Sequence, residues 1–342
     1  MEDALVFVSC ADSGELHLLR LTSDTGQLHT EQVLALGGQL MPMALSPDRT
    51  RLYVARRSDP LAVVTLAVDA TARRADVLGE ASLPASMAYL ATDGTGRWLL
   101  SASYGADLVA VQPIGAQGAV APGGAAAVYP TGRHAHSALA SPDNRFVLAA
   151  SLGGGQLHRY RFDADTGALQ PAEPAVFPLP TGTGPRHLRF NAAGNRIYLL
   201  DELDAAVHVL AWDAATGALQ LLQSLPTLPP GFTGTPWAAD LHLSPDGRWL
   251  YTSERNSHTL AGFAVHAATG ELTPIGHWPT QAQPRGFAIT PDGRHLLAAG
   301  QLSHRVGVHA VDSVSGALTR VGEHAVGLNP NWITVLPMAA QP

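Results

Sequence analysis

Charge is scarce in this chain. Lys and Arg number 21 and Asp and Glu 28, together 14% of 342 residues, for a net charge of −7. That acidic balance argues against a nucleic-acid partner, because phosphate backbones select basic surfaces. Cysteine is scarcer still. Cys10 stands alone, which excludes an internal disulfide and a thiolate metal site. No apolar run approaches the roughly 18 residues that a membrane span needs. The opening MEDALVFVSCADSGEL lacks the basic start and long apolar stretch of a signal peptide, so a soluble cytoplasmic protein is expected. No G-x-S-x-G elbow occurs, which counts against a serine hydrolase. The glycines of SLGGGQL (151–157) precede no helical pattern, so they do not read as a phosphate loop. No cluster has metal-ligand spacing, and neither metal nor cofactor is expected.

What the chain has is a repeat. LSPDRTRLYVA (45–55), ATDGTGRWLLSA (91–102), ASPDNRFVLAA (140–150), FNAAGNRIYLL (190–200), LSPDGRWLYTS (243–253) and ITPDGRHLLAA (289–299) say nearly the same thing. Aligned on Ser46, Asp93, Ser141, Asn191, Ser244 and Thr290, the steps are 47, 48, 50, 53 and 46 residues. A period of that size marks a radial or stacked array. Each copy is a strand, a polar turn and a second strand. A third strand follows, as at 258–265, then a hairpin turn such as DTGQL (24–28) or DTGAL (165–169) and a fourth strand. Asp48, Asp143, Asp246 and Asp292 read as turn formers.

The ends complete the count. Residues 4–10 match the second-strand position with no turn before them, and 329–336 match the first-strand position with nothing after. Six copies plus this composite predict an all-β, seven-bladed β-propeller over residues 1–342, a single domain closed by pairing of the N- and C-terminal strands. A monomer is the default for such a closed fold.

In a propeller, first-strand starts and second-strand ends surround one mouth of the channel. The starts carry Met41-Pro42, Met87, His136, Arg186, Trp237 to Asp240, Arg285 and Asn331. The ends carry Arg56-Arg57, Tyr104, Gly153, Glu202, Glu254-Arg255 and Gln301. Unlike ionisable groups gathered at one mouth indicate a small-molecule site. His136 and Glu202 are candidates for proton transfer, and Arg186 and Arg285 for holding a carboxylate, a phosphate or an oxyanion. Arg56, Tyr104, Arg133, His134, Trp237, Asp240, Arg255 and Gln301 are candidate substrate-binding residues. His134 and His136, two apart on an expected strand, would share a face. The rival is a non-enzymatic binding scaffold, which 6% aromatic content and a charged mouth disfavour.

QLMPMALSPD (39–48), HSALASPDN (136–144), GPRHLRF (184–190), DEL (201–203), WAADLHLSPDGRWLY (237–251), QPRGF (283–287), AGQLSH (299–304) and AVGLNPNW (325–332) carry a resemblance. The chain resembles, from about residue 4 to 335, the seven-bladed propeller lactonases of the bacterial 6-phosphogluconolactonase type, a family that includes fungal 3-carboxy-cis,cis-muconate lactonizing enzyme. The resemblance implies a metal-independent site handling a small anionic sugar lactone, with His136 and Glu202 moving protons and Arg186 and Arg285 binding charge. Aldaric lactones and muconate-type lactonization stay open as alternatives. Asp201 before Glu202, Ser253-Glu254-Arg255, and the added Arg133 and His134 depart from the family pattern, so they bear on which anionic tail is recognised.

Overall fold

The computed structural model describes residues 3–123 and 127–338; the expected domain also includes residues 1, 2, 124–126 and 339–342, which lie outside the described residues. Every named element is a β-strand, and the strands form seven four-stranded sheets. Blade 1 joins the C-terminal strand Pro330–Pro337 to Ala4–Cys10, Glu15–Thr22 and Gln27–Ala35. Blades 2 to 7 each take four consecutive strands and have first strands at Leu40–Leu45, Tyr89–Thr92, Ala135–Ala140, Pro185–Phe190, Ala238–Leu243 and Pro284–Ile289. This is the topology of a seven-bladed β-propeller, with the terminal strands paired antiparallel from Ala4 against Pro337 to Cys10 against Pro330. No helix among the described residues is long and apolar enough to cross a membrane.

The repeated turn has one mechanism. In blade 2 the Ser46 hydroxyl donates to Asp48 (2.5 Å) and accepts the Arg51 N–H (3.0 Å), and Asp48 accepts the Thr50 N–H. Ser141 with Asp143, Ser244 with Asp246 and Thr290 with Asp292 repeat it. The side chains thus take over backbone donors that the turn would leave unpaired.

Contacts group the described residues into two compact units. Those within Met1–Met41, Val68–Asp76 and Pro226–Pro342 form one, and those within Pro42–Ala67 and Val77–Leu225 the other. The first is cored by Val6, Val8, Leu19, Leu297 and Val306, and by Trp249, Tyr251, Phe287 and Leu296. The second is cored by Tyr53, Met87, Leu90 and Leu99, and by Phe146, Leu148, Leu199 and Trp212. Side chains of this size each contribute about 1.5–3 kcal/mol on full burial. His136, Arg186 and Glu202 fall in the second unit and Arg285 in the first.

Candidate active site

A shared backbone device presents the candidates on the first strands, His136, Arg186, Asp240 and Arg285. In blade 4, Ala135 faces Ser151 and Ser137 faces Ala150, so His136 is the extra residue of a β-bulge. In blade 5, Pro185 faces Asp201 and His187 faces Leu200, which leaves Arg186 in the same position. The bulges of blades 6 and 7 contain Ala239-Asp240 and Arg285-Gly286, and that of blade 1 contains Asn331. A bulge interrupts alternation and re-aims a side chain that the pleat would otherwise direct into the sheet packing.

Within the second unit these residues meet. Arg186 is wholly buried; its Nε donates to Glu202 Oε2 at 2.7 Å, and its Nη1 lies 3.2 Å from His187 Nε2. Arginine only donates, so His187 Nε2 accepts and carries its proton on Nδ1. The His187 ring lies 5.1 Å from that of His136 and 5.2 Å from that of Tyr89, whose hydroxyl accepts from Arg189. His136 meets Tyr104 edge-on at 6.1 Å. Glu202 is fixed by its own backbone as well. Its N–H donates to Gly184 O at 2.7 Å, and a Cβ on Gly184 (φ 76°) would strike Leu203 at 2.7 Å.

His134 does not share a strand face with His136. It precedes the strand with φ 62°, its N–H bonded to Asp107 Oδ1, and stacks flat on Tyr104 at 4.1 Å. Arg133 is exposed. Arg56 forms a bidentate pair with Glu80, at 3.1 and 2.6 Å. Its neighbour Arg57 instead stands eleven residues after Ser46, as Tyr104 stands after Asp93 and Glu202 after Asn191. Asp201 is engaged elsewhere: Oδ2 lies 2.8 Å from His208 Nε2, whose Nδ1 lies 2.7 Å from the Ser224 hydroxyl.

The first unit holds the remaining candidates. Arg285 is buried, with Nη1 3.5 Å from Asn331 O. Asp240 lies 3.1 Å from His242 Nε2. Arg255 lies 3.8 Å over the Trp237 ring and donates to the carbonyls of Trp237 and Ala238, and Gln301 donates to Asn329. No group of three or more metal-ligating side chains occurs among the described residues.

Two features escaped the reading of the sequence. His187 is buried between Arg186, His136 and Tyr89, and its only signal was adjacency to Arg186 in G-P-R-H. The bulges had none, because an extra residue in a six-residue strand leaves the apolar pattern almost unchanged.

Buried histidines, a buried carboxylate–guanidinium pair and an aromatic edge can position water, accept its proton and hold a polar ligand. Comparisons with known proteins identify the family. The family described as "Lactonase, 7-bladed beta-propeller" matches residues 5–335. A 6-phosphogluconolactonase of Pectobacterium carotovorum is 38% identical over 332 residues, 97% of this chain and 98% of that protein. A 6-phosphogluconolactonase of Serratia proteamaculans is 37% identical over 83% of this chain and 84% of its own. The structure of a periplasmic gluconolactonase of Pseudomonas aeruginosa superposes with a TM-score of 0.91 at 29% identity, covering 98% of this chain and all of that one. With its strand topology, the family match over residues 5–335 and a relative covering 97% of its length, the chain belongs to the seven-bladed β-propeller lactonases.

Proposed function

We propose that this protein hydrolyses a six-carbon sugar 1,5-lactone bearing an anionic tail, with 6-phosphogluconolactone as the leading substrate. The observation that carries the proposal is the contact of His136 with a buried Arg186–Glu202–His187 set, supported by 6-phosphogluconolactonase relatives that match nearly end to end.

Lactone hydrolysis needs a water, a base and a way to hold the ring. His136 takes the proton of the attacking water, since an imidazole titrates near neutrality and can return the proton to the ring oxygen as the ester bond breaks. Glu202 orients the water. Arg186 is fully buried, so it acts by pinning the Glu202 carboxylate, and His187 holds the second arm of the guanidinium fork. Tyr104, with its stacked His134, offers a flat edge to the sugar ring. Aldaric lactones fit the same chemistry with a carboxylate tail, whereas the relatives favour hydrolysis over lactone formation. A phosphorylated substrate implies a cytoplasmic enzyme, because a phosphate dianion does not diffuse across a bilayer. A neutral gluconolactone suits the periplasmic setting that the Pseudomonas protein's name states.

Acid release from 6-phosphogluconolactone, measured above the spontaneous rate, tests the assignment. His136→Ala and Glu202→Gln are each expected to lower kcat by roughly a hundredfold to ten-thousandfold, the usual contribution of a positioned base. Rates near wild type in both variants remove these residues from the mechanism.

A further inference from the structure

We propose that Arg57 holds the charged tail of the lactone, a phosphate or a carboxylate, and so sets substrate preference. The inference rests on the lactonase reading above.

Arg57 follows the second strand of blade 2, at the position that Tyr104 occupies in blade 3 and Glu202 in blade 5. Its Nε donates to the Ser86 hydroxyl at 2.9 Å. Ser86 lies just ahead of the first strand of blade 3, and its carbonyl accepts from Ser103, the residue before Tyr104. The guanidinium is thereby anchored on the blade that carries the aromatic edge facing His136. Arg57, Tyr104, His136 and Glu202 come from four successive blades of one compact unit.

The chemistry asks for a cation at such a place. The C1 carbonyl and the C6 tail leave the lactone ring at different carbons. The group that grips the tail must therefore stand apart from the water-activating base, on the same side of the fold. Arg57 is partly buried, and desolvation pushes its pKa below the usual arginine value. In such surroundings an anion is held more strongly than at the open surface. A planar fork also suits phosphate and carboxylate alike.

The experiment compares wild type, Arg57→Ala, Arg57→Lys and Arg133→Ala on 6-phosphogluconolactone, glucaro-1,5-lactone and neutral glucono-1,5-lactone. Arg57→Ala is expected to reduce the preference for a charged over the neutral lactone, as a ratio of kcat/KM, by roughly 10- to 100-fold, the effect of one charge-assisted contact. The loss should lie mainly in KM, with Arg57→Lys recovering part of it. The charged lactone that loses more identifies the natural tail. Equal losses on charged and neutral lactones, or a preference lost in Arg133→Ala instead, overturn the proposal. A wild-type protein inactive on all three lactones overturns the lactonase reading itself, whatever the variants do. Matched thermal melts of the four proteins separate misfolding from loss of binding.

Discussion

His309 lies on the third strand of blade 7, almost completely buried, and burial pushes its pKa down from 6.5 to about 4. The unfolded chain therefore takes up a proton at higher pH than the folded one. The stability contributed by the neutral ring is complete above about pH 6.5 and is lost as pH falls toward 4. For a shift of this size the loss is on the order of 3 kcal/mol. His158, His295 and His324 are shifted down by burial too and act in the same direction. Urea unfolding at pH 7 and pH 4.5 checks this. The wild type should lose stability between the two, and His309→Leu should lose clearly less. Equal losses would remove His309 as a source of acid sensitivity. Aligned histidines need not share a role: His17 and His158 each accept a backbone N–H through Nε2, from Gly327 and Gly132, whereas His208 turns the same nitrogen to Asp201.

Hairpin turns between the outer strands are the elements on which the repeat depends most directly. Gly217 has φ 72°, and a Cβ there would lie 2.6 Å from the Phe146 ring of the preceding blade. Gly217→Ala combines a left-handed backbone with a clash in the core, so a loss of about 2 kcal/mol or more is expected. A thermal melt unchanged from wild type would refute it. The same turns show why so much of the fold was legible. Thr166 of Asp-Thr-Gly donates to Asp163 and Ser244 of Ser-Pro-Asp-Gly donates to Asp246, so blade number and strand order could be read from local chemistry. The composite first blade could be read too, because each end supplied a recognisable half. The site was less legible. Motif spacing singled out His136, Arg186 and Glu202, which lie together around His187. It could not tell which of Arg56 and Arg57 would pair with Glu80 and which with Ser86, because adjacent residues differ only in which face the strand end presents. It gave no sign that Arg186 would be wholly buried, a consequence of the bulge and of a neighbouring histidine. The one-residue difference between His134 on a turn and an expected strand position has the same origin.

At the scale of the whole chain, blade 1 borrows its first strand from the far end of the sequence. Ala4–Cys10 is buried at every position and pairs along its length with Pro330–Pro337. Asn331 adds side-chain bonds to the carbonyls of Ser9 and Leu40. A chain ending at residue 329 should therefore expose an apolar strand edge and aggregate or melt far below the full-length protein; circular dichroism and light scattering report both. A soluble truncated protein with an unchanged melt would show that the closing strand is dispensable. The arrangement also sets a timetable for biosynthesis. About 320 residues separate the end of the N-terminal strand from the start of its partner. At 5–20 residues per second the ribosome needs roughly 15–60 s to supply it. Throughout that interval the nascent protein carries an unmatched greasy ribbon, which makes the newborn chain a natural client for chaperones that shield such surfaces.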